Sequence, residues 1–265
     1  MNRVARLYQA LLARYGPQGW WPLASRAGRP GFDARGYHPG DFTAPGPRQR
    51  FEIAAGAVLT QNSAWRNAEA ALAALRSTGL LSPRALLACP QRRLAALVRP
   101  SGYFNQKARK LRGLAAFLTG LPAGAVPGRE ALLGVWGIGP ETADSILLYA
   151  WQQPVCVVDA YTRRLFQRLG WAAGSEGYEE LRGLCERGLP GSVQVYGEFH
   201  ALVVRHAKEH CRQSPRCDGC PLRGRPVLAA PPVRSAPAAD VLVAGDTSAL
   251  HGVGPCVCRW QPAAH

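Results

Sequence analysis

Between residues 134 and 164 the chain reads GVWGIGPETADSILLYAWQQPVCVVDAYTRR, an order of parts that few folds can house. Gly137 and Gly139 bracket one apolar residue, Ile138, and Pro140 follows. From there Ala143, Ile146, Leu147 and Ala150 recur at the i, i+3, i+4, i+7 interval of one buried helix face. Glycine permits a tight turn and a close backbone approach to a partner, and the following helix points its positive dipole end at that turn. A phosphate matches such a site. Val155 to Val158 then form a short apolar, β-like run that delivers a lone carboxylate, Asp159, ahead of Tyr-Thr-Arg-Arg. The expectation is a DNA-binding hairpin followed by a catalytic aspartate. The ordinary alternative for Asp159 is a helix N-cap or a surface acid.

Charge supports a polyanionic partner. The net charge is +15. In residues 226–265, Arg234 and Arg259 balance Asp240 and Asp246, so the excess lies in residues 1–225. Double-stranded DNA is the natural partner; attachment to a ribosome or a membrane surface would leave the hairpin unexplained. No apolar run has the length of a membrane span, and the N-terminus lacks a signal-peptide core. Val4, Leu7, Leu11 and Leu12 form one stripe, which favours an ordinary first helix over a transit peptide. A monomer in the cytoplasm, associated with the nucleoid, is expected, with its thiols reduced.

Taken in order, the first helix leads to Gly19-Trp20-Trp21-Pro22 and then to an exposed, turn-rich insertion, Leu23 to Arg48. Two adjacent tryptophans cannot both face one core from a regular helix, so a loop positions at least one. Aromatic faces there suit base stacking. Phe51 to Gln61 is apolar nearly all round and predicts a buried central helix. Helices follow at Arg66–Ser77, Pro83–Ala88 and Arg92–Val98. A Ser101-Gly102 turn precedes a helix with Lys107, Arg109, Lys110 and Arg112 on a basic face and Leu111, Leu114, Ala115 and Leu118 opposite. After Asp159 come helices Arg163–Leu169, Tyr178–Arg187 and Val193–Cys211, the last with Phe199, Leu202, Val203 and His206 along one side. The fold class is all-α.

Cys211-x5-Cys217-x2-Cys220, with Pro215, Asp218-Gly219 and Pro221 forcing turns, reads as a small loop wrapped on a metal centre. Zinc shares the Cys-x2-Cys spacing. Cys89, Cys156 and Cys185 are scattered and read as small buried apolar residues.

GIGPETADSILLYA followed by VVDAYTRR resembles the helix-hairpin-helix, glycine/proline-rich, aspartate (HhH-GPD) motif of the endonuclease III superfamily of DNA glycosylases. WWP, GAVLTQN followed by an aromatic, VRPSGYFNQKARKL, and GIGPETAD with VCVVD together resemble its 3-methyladenine DNA glycosylase branch, over roughly residues 15–220. The resemblance implies a two-lobed helical glycosylase fold over residues 1–225, a hairpin-containing lobe at about 66–160, a cluster loop at 211–225 and an irregular tail at 226–265. It implies a catalytic Asp159 and a base pocket of Trp20, Trp21, Pro22 and Trp65. It implies DNA contacts from Gly137, Gly139, Thr142 and Lys107, and a Gln61 that fills the space left by an extruded nucleotide. Bifunctional members carry a lysine where this chain has Glu141, and a carboxylate forms no imine. The implied activity is therefore monofunctional hydrolysis of alkylated purines in base excision repair, without AP-lyase action. The alternatives are an endonuclease III-like glycosylase for oxidised or mismatched pyrimidines, and a non-catalytic DNA-binding protein.

Lys208 matches a lysine of structural importance in that branch, where no cluster exists. The endonuclease III pattern implies a [4Fe–4S] cluster on Cys211, Cys217 and Cys220, with a fourth cysteine near residue 226, where Pro226 stands. Three explanations stay open: Cys256 or Cys258 supplies the ligand, the cluster is incomplete or lost, or the reading frame has shifted after about Arg225.

Overall fold

A computed structural model describes residues 2–224. The tail expected at 226–265, with Cys256 and Cys258, lies outside the described residues. The described chain is helical and contains no strand: α1 Arg3–Tyr15, α2 Pro47–Leu59, α3 Trp65–Ser77, α4 Pro83–Ala88, α5 Gln91–Leu97, α6 Phe104–Thr119, α7 Arg129–Leu133, α8 Pro140–Ser145 continuing as a π-helical turn over Ile146–Ala150, α9 Ala160–Arg168, α10 Tyr178–Gly188 and α11 Val193–Glu209. No helix among the described residues is long and apolar enough to cross a membrane.

Local chemistry starts these helices. Asn2 caps α1 by accepting from the amides of Val4 and Ala5, and Ser192 caps α11 by accepting from Val195; each such cap stabilises by about 1 kcal/mol. Pro47, Pro83 and Pro140 occupy first helical positions, where no amide is needed. Two helices form the centre. In α2 every residue from Phe51 to Leu59 is buried, as the apolar run predicts. The helix that begins at Pro140 was expected to bury one face, but residues 142–150 are buried all round. It packs on α2 along one side and α11 along another, so Asp144, Ser145, Leu148 and Tyr149 are covered too.

Around this centre α1 packs on α10 and α11, while α4 and α5 pack on α6. Val155–Val158 is extended but joins no sheet. Two of its amides turn to side chains instead, Cys156 donating to the Glu186 carboxylate and Val158 to the Tyr178 hydroxyl, while Val155 donates to the Gln153 carbonyl. The insertion at 23–46 is exposed over much of its length, yet pinned. Leu23 donates to the Gly36 carbonyl, and a Cβ at Gly36 would meet the Leu23 carbonyl oxygen at 2.2 Å. Glu52, buried within α2, accepts from the Ser25 amide.

Candidate active site

Asp159 is both an N-cap and the carboxylate at the centre of the site. It caps α9, its Oδ1 accepting from the Thr162 amide at 2.7 Å and the Thr162 hydroxyl at 2.9 Å. Oδ2 faces His200 Nε2 at 3.5 Å. Asp159 is 8% exposed. Burial pushes its carboxyl up, but the contact and charge of His200 and the two Thr162 bonds outweigh this and hold it below the usual carboxylate range. Glu141, in the first turn of α8, is electrostatically linked to the site: desolvation, then the Asp159 charge, push its carboxyl upward.

Behind His200 stands Tyr149, whose hydroxyl contacts His200 Nδ1 at 2.8 Å and donates to the Gly197 carbonyl at 3.1 Å. Sequence reading missed both residues. His200 shows no motif of its own, and Tyr149 reads as one more buried position of its helix. Their rings join the aromatic residues expected at the base pocket. Trp20 meets His200 edge-on at 5.4 Å, Trp21 meets Tyr149 at 5.2 Å, and Trp21 meets Trp65 edge-on at 5.5 Å. Trp21 and Pro22 are buried, whereas Trp20 and Trp65 are half-buried. Trp20 and Trp65 therefore keep accessible surface, with Trp21 and Pro22 as backing. The indole N–H groups of Trp21 and Trp65 are buried without a partner among the described residues.

Trp20 divides two cavities. One of about 190 Å³ is lined by Trp20, Trp21, His38, Tyr149 and Glu198. The other, a cleft of about 440 Å³, is lined by Trp20, Gln18, Arg35, Tyr37, Arg205 and Lys208. Lys208 is close enough to feel the Asp159 charge.

The hairpin joins α7 to α8. Gly137 adopts φ +82°, and a Cβ there would meet the Lys110 side chain at 2.5 Å, so the position requires glycine. Gln61, just beyond α2, ties the turn: its Nε2 donates to the Gly137 carbonyl at 3.0 Å and the Thr142 hydroxyl at 2.9 Å, and its Oε1 accepts from Lys110 at 2.6 Å. Thr142, expected to contact DNA, is buried with its hydroxyl turned to Gln61. Trp136, next to Gly137, and Tyr103, before α6, are exposed, and the Arg109 guanidinium lies 4.1 Å from the Trp136 ring centre.

Lys107 corrects an expectation. It is 2% exposed and its ammonium donates inward, to the carbonyls of Leu59 and Ser101. The reason is its register: Lys107, Leu111 and Leu114 lie at i, i+4 and i+7, on the apolar face of α6. Burial, then neighbouring Lys110, push its amine down to about 8. Arg112 also turns inward, to the carbonyls of Leu87 and Cys89. That leaves Arg109 as the exposed cation of the expected basic face.

Cys89, Cys156 and Cys185 are buried, as expected. Cys211, Cys217 and Cys220 line one small pocket with His206, His210 and Arg168. Arg168 donates to the Cys211 sulfur at 3.4 Å, and the Cys220 sulfur lies 3.9 Å from His206 Nε2. Among the described residues no three side chains are gathered closely enough to hold a metal ion.

Comparison with known proteins agrees with this geometry. The family described as HhH-GPD superfamily base excision DNA repair protein matches residues 55–190. A Methanocaldococcus jannaschii protein named as a DNA repair glycosylase is 35% identical over 230 residues, 83% of this chain and 94% of its own length. Endonuclease III of Thermotoga maritima is 28% identical over 175 residues, 65% of this chain and 80% of that protein. The structure of H. pylori 3-methyladenine DNA glycosylase bound to 1,N6-ethenoadenine superposes with a TM-score of 0.62 at 27% identity, covering 79% of this chain and 98% of that one.

Proposed function

We infer the substrate and the reaction from one premise: the chain belongs to the HhH-GPD superfamily of base excision DNA repair proteins, a family of DNA glycosylases. It acts as a monofunctional N-glycosylase that turns alkylated purines, such as 3-methyladenine, out of double-stranded DNA and hydrolyses their glycosidic bond. The observation that carries this reading is the junction of an aromatic cluster with a buried, ionised carboxylate: Trp20 reaches His200, and His200 reaches Asp159. A methylated purine is electron-poor and often cationic, so a π-rich wall favours it over a normal base. Its glycosidic bond is already weakened. Asp159 then has two tasks, to stabilise the oxocarbenium-like sugar and to orient or deprotonate the attacking water. The likeness to a 3-methyladenine glycosylase structure supports the same substrate class.

DNA is held at the hairpin, where Gly137 and Gly139 bring the backbone close to phosphate, and Gln61 fills the gap left in the duplex. Turning the nucleotide out costs a few kcal/mol, which the phosphate contacts offset. The second reading, an enzyme for oxidised pyrimidines, draws on the endonuclease III relatives. Glu141 bears on strand cleavage, since a carboxylate there forms no imine, and in the second reading another lysine would serve any lyase step; the base released separates the two.

The test is incubation of the purified full chain with methylated duplex DNA, scoring released base and strand breaks separately. Methylpurine release without nicking is expected, and release only from oxidised pyrimidines would overturn the reading. In the same assay Glu141→Lys is expected to yield a borohydride-trapped DNA complex, provided the hairpin places the new amine at the sugar. No trapped species would show that the position lacks the geometry as well as the chemistry.

The cysteine loop is structural in this reading. Cys211, Cys217 and Cys220 are the thiols that would hold a [4Fe–4S] cluster at the end of α11, leaving base release to Asp159. The three cysteines line one pocket, although among the described residues they are not gathered into a metal-binding group. Protein purified without oxygen is expected to contain iron and sulfide in equal amounts. Zinc alone, or no metal, would remove the cluster.

A further inference from the structure

We propose that His200 is a positioning residue for Asp159, held from behind by Tyr149 so that its ring donates to Asp159 Oδ2 and fixes the carboxylate ionised and in one rotation. The proposal rests on the reading that Asp159 acts at the sugar. It goes beyond that reading by assigning the group that prepares Asp159.

The two carboxylate oxygens are unequal. Oδ1 is occupied by both Thr162 donors, so Oδ2 is the oxygen left for chemistry, and His200 Nε2 is the protein group facing it at 3.5 Å. Counting protons then constrains the ring. Tyr149 has one O–H and two neighbours, the Gly197 carbonyl at 3.1 Å and His200 Nδ1 at 2.8 Å. A carbonyl only accepts, so both contacts are kept only if Tyr149 donates to Gly197 and Nδ1–H donates to Tyr149. Whichever hydrogen Nδ1 and Tyr149 share, the ring turns a donor toward Asp159 Oδ2 only when Nε2 carries a hydrogen; otherwise a bare lone pair would face a carboxylate.

The groups around the ring fit a donor held against a carboxylate. Asp159 approaches from the start of α9, Tyr149 from the π-helical turn, and Trp20 edge-on from the N-terminal loop. Glu141 and Lys208 act at longer range, each sensing a member of the pair through charge. His200 and Asp159 are both nearly covered, so water can replace little of what the ring supplies. Tyr149 also touches Trp21 and Trp20, so one side chain spans the aromatic wall and the group that orients the catalytic carboxylate.

Two measurements on the full chain test this. The first needs no substrate: 15N NMR of the imidazole nitrogens, with the His200 signal assigned from its disappearance in His200→Gln. Nε2, the nitrogen that faces Asp159, is expected to carry a hydrogen, and Asp159→Asn is expected to shift the Nε2 resonance while leaving Nδ1 nearly unmoved. A bare Nε2 in the wild type, or an Nε2 resonance unmoved in Asp159→Asn, overturns the proposal. The second is single-turnover base release. His200→Leu is expected to slow release about 10- to 100-fold at unchanged DNA affinity. His200→Gln, which restores a donor near Nε2, is expected to recover most of the rate. Full activity in His200→Leu overturns the proposal. If the wild type releases no methylpurine, the functional reading falls, and the NMR result still decides the role of His200.

Discussion

Replacing Asp159 by asparagine is expected to slow base release by about a hundred-fold to ten-thousand-fold while leaving DNA affinity almost intact and the α9 cap in place. The substitution is informative because of what it keeps. An asparagine oxygen still accepts from the Thr162 amide and hydroxyl, the two bonds that cap α9, and asparagine is as good an N-cap as aspartate. What it removes is the negative charge that faces His200 and, in the proposed reaction, the sugar. Alanine would remove the cap as well, at about 1 kcal/mol, and mix the two effects. Base release in single turnover, DNA affinity and a thermal melt on the same preparation separate them. Full activity in the asparagine variant would take Asp159 out of the mechanism.

The carboxyl also sets a pH signature. Its folded pKa lies below the ordinary value, so its contribution to stability is fully present above the unfolded-state pKa and is lost as pH falls through the folded one. The stability advantage of wild type over Asp159→Asn should therefore shrink in acid and hold at neutral pH. Activity should keep its carboxylate across the neutral range for the same reason.

Much of this site was legible as order along the chain, and much of its chemistry was not. The hairpin, the buried α2 and Pro83–Ala88 follow from local rules: glycine at a positive-φ turn, apolar periodicity, proline after a capping serine. Asp159 stood out because it ends an apolar run and begins a helix. Residues 20, 149, 159 and 200 have no local relation, and only packing of α11 against the central helix brings them together. Periodicity also misled where tertiary packing outweighed it. The helix after Pro140 shows one apolar stripe, yet residues 142–150 are covered all round because it threads the middle of the molecule. Lys107 was read by its charge, although its register with Leu111 and Leu114 already placed it inside, and carbonyls at Leu59 and Ser101 make that burial tolerable.

The hairpin itself depends on an ion pair that sequence did not single out, and breaking it is expected to be the largest stability change available. Asp144, in α8, is fully buried and accepts two parallel bonds from Arg129, at 2.7 and 3.1 Å. Arg129 opens α7, so the pair spans the turn that carries Gly137 and Gly139. The same guanidinium reaches Glu179 on α10 at 2.6 Å, fastening the hairpin to the next helix. Arg129→Leu leaves a buried carboxylate without its partner, a change that costs about 3–5 kcal/mol in comparable sites. Urea unfolding should show that loss, and DNA affinity should fall as well, since the turn loses the strut across its base. Arg129→Lys should recover only part, because an ammonium cannot reproduce two parallel bonds. Glu179→Gln breaks an exposed contact and should cost no more than about 1 kcal/mol. The double variant Arg129→Leu/Asp144→Leu should be less destabilised than Arg129→Leu alone, because it removes the stranded charge. If the double variant is the less stable of the two, Asp144 supports the fold through contacts other than Arg129, such as its bond with Tyr178, and the stranded charge is not what Arg129→Leu costs.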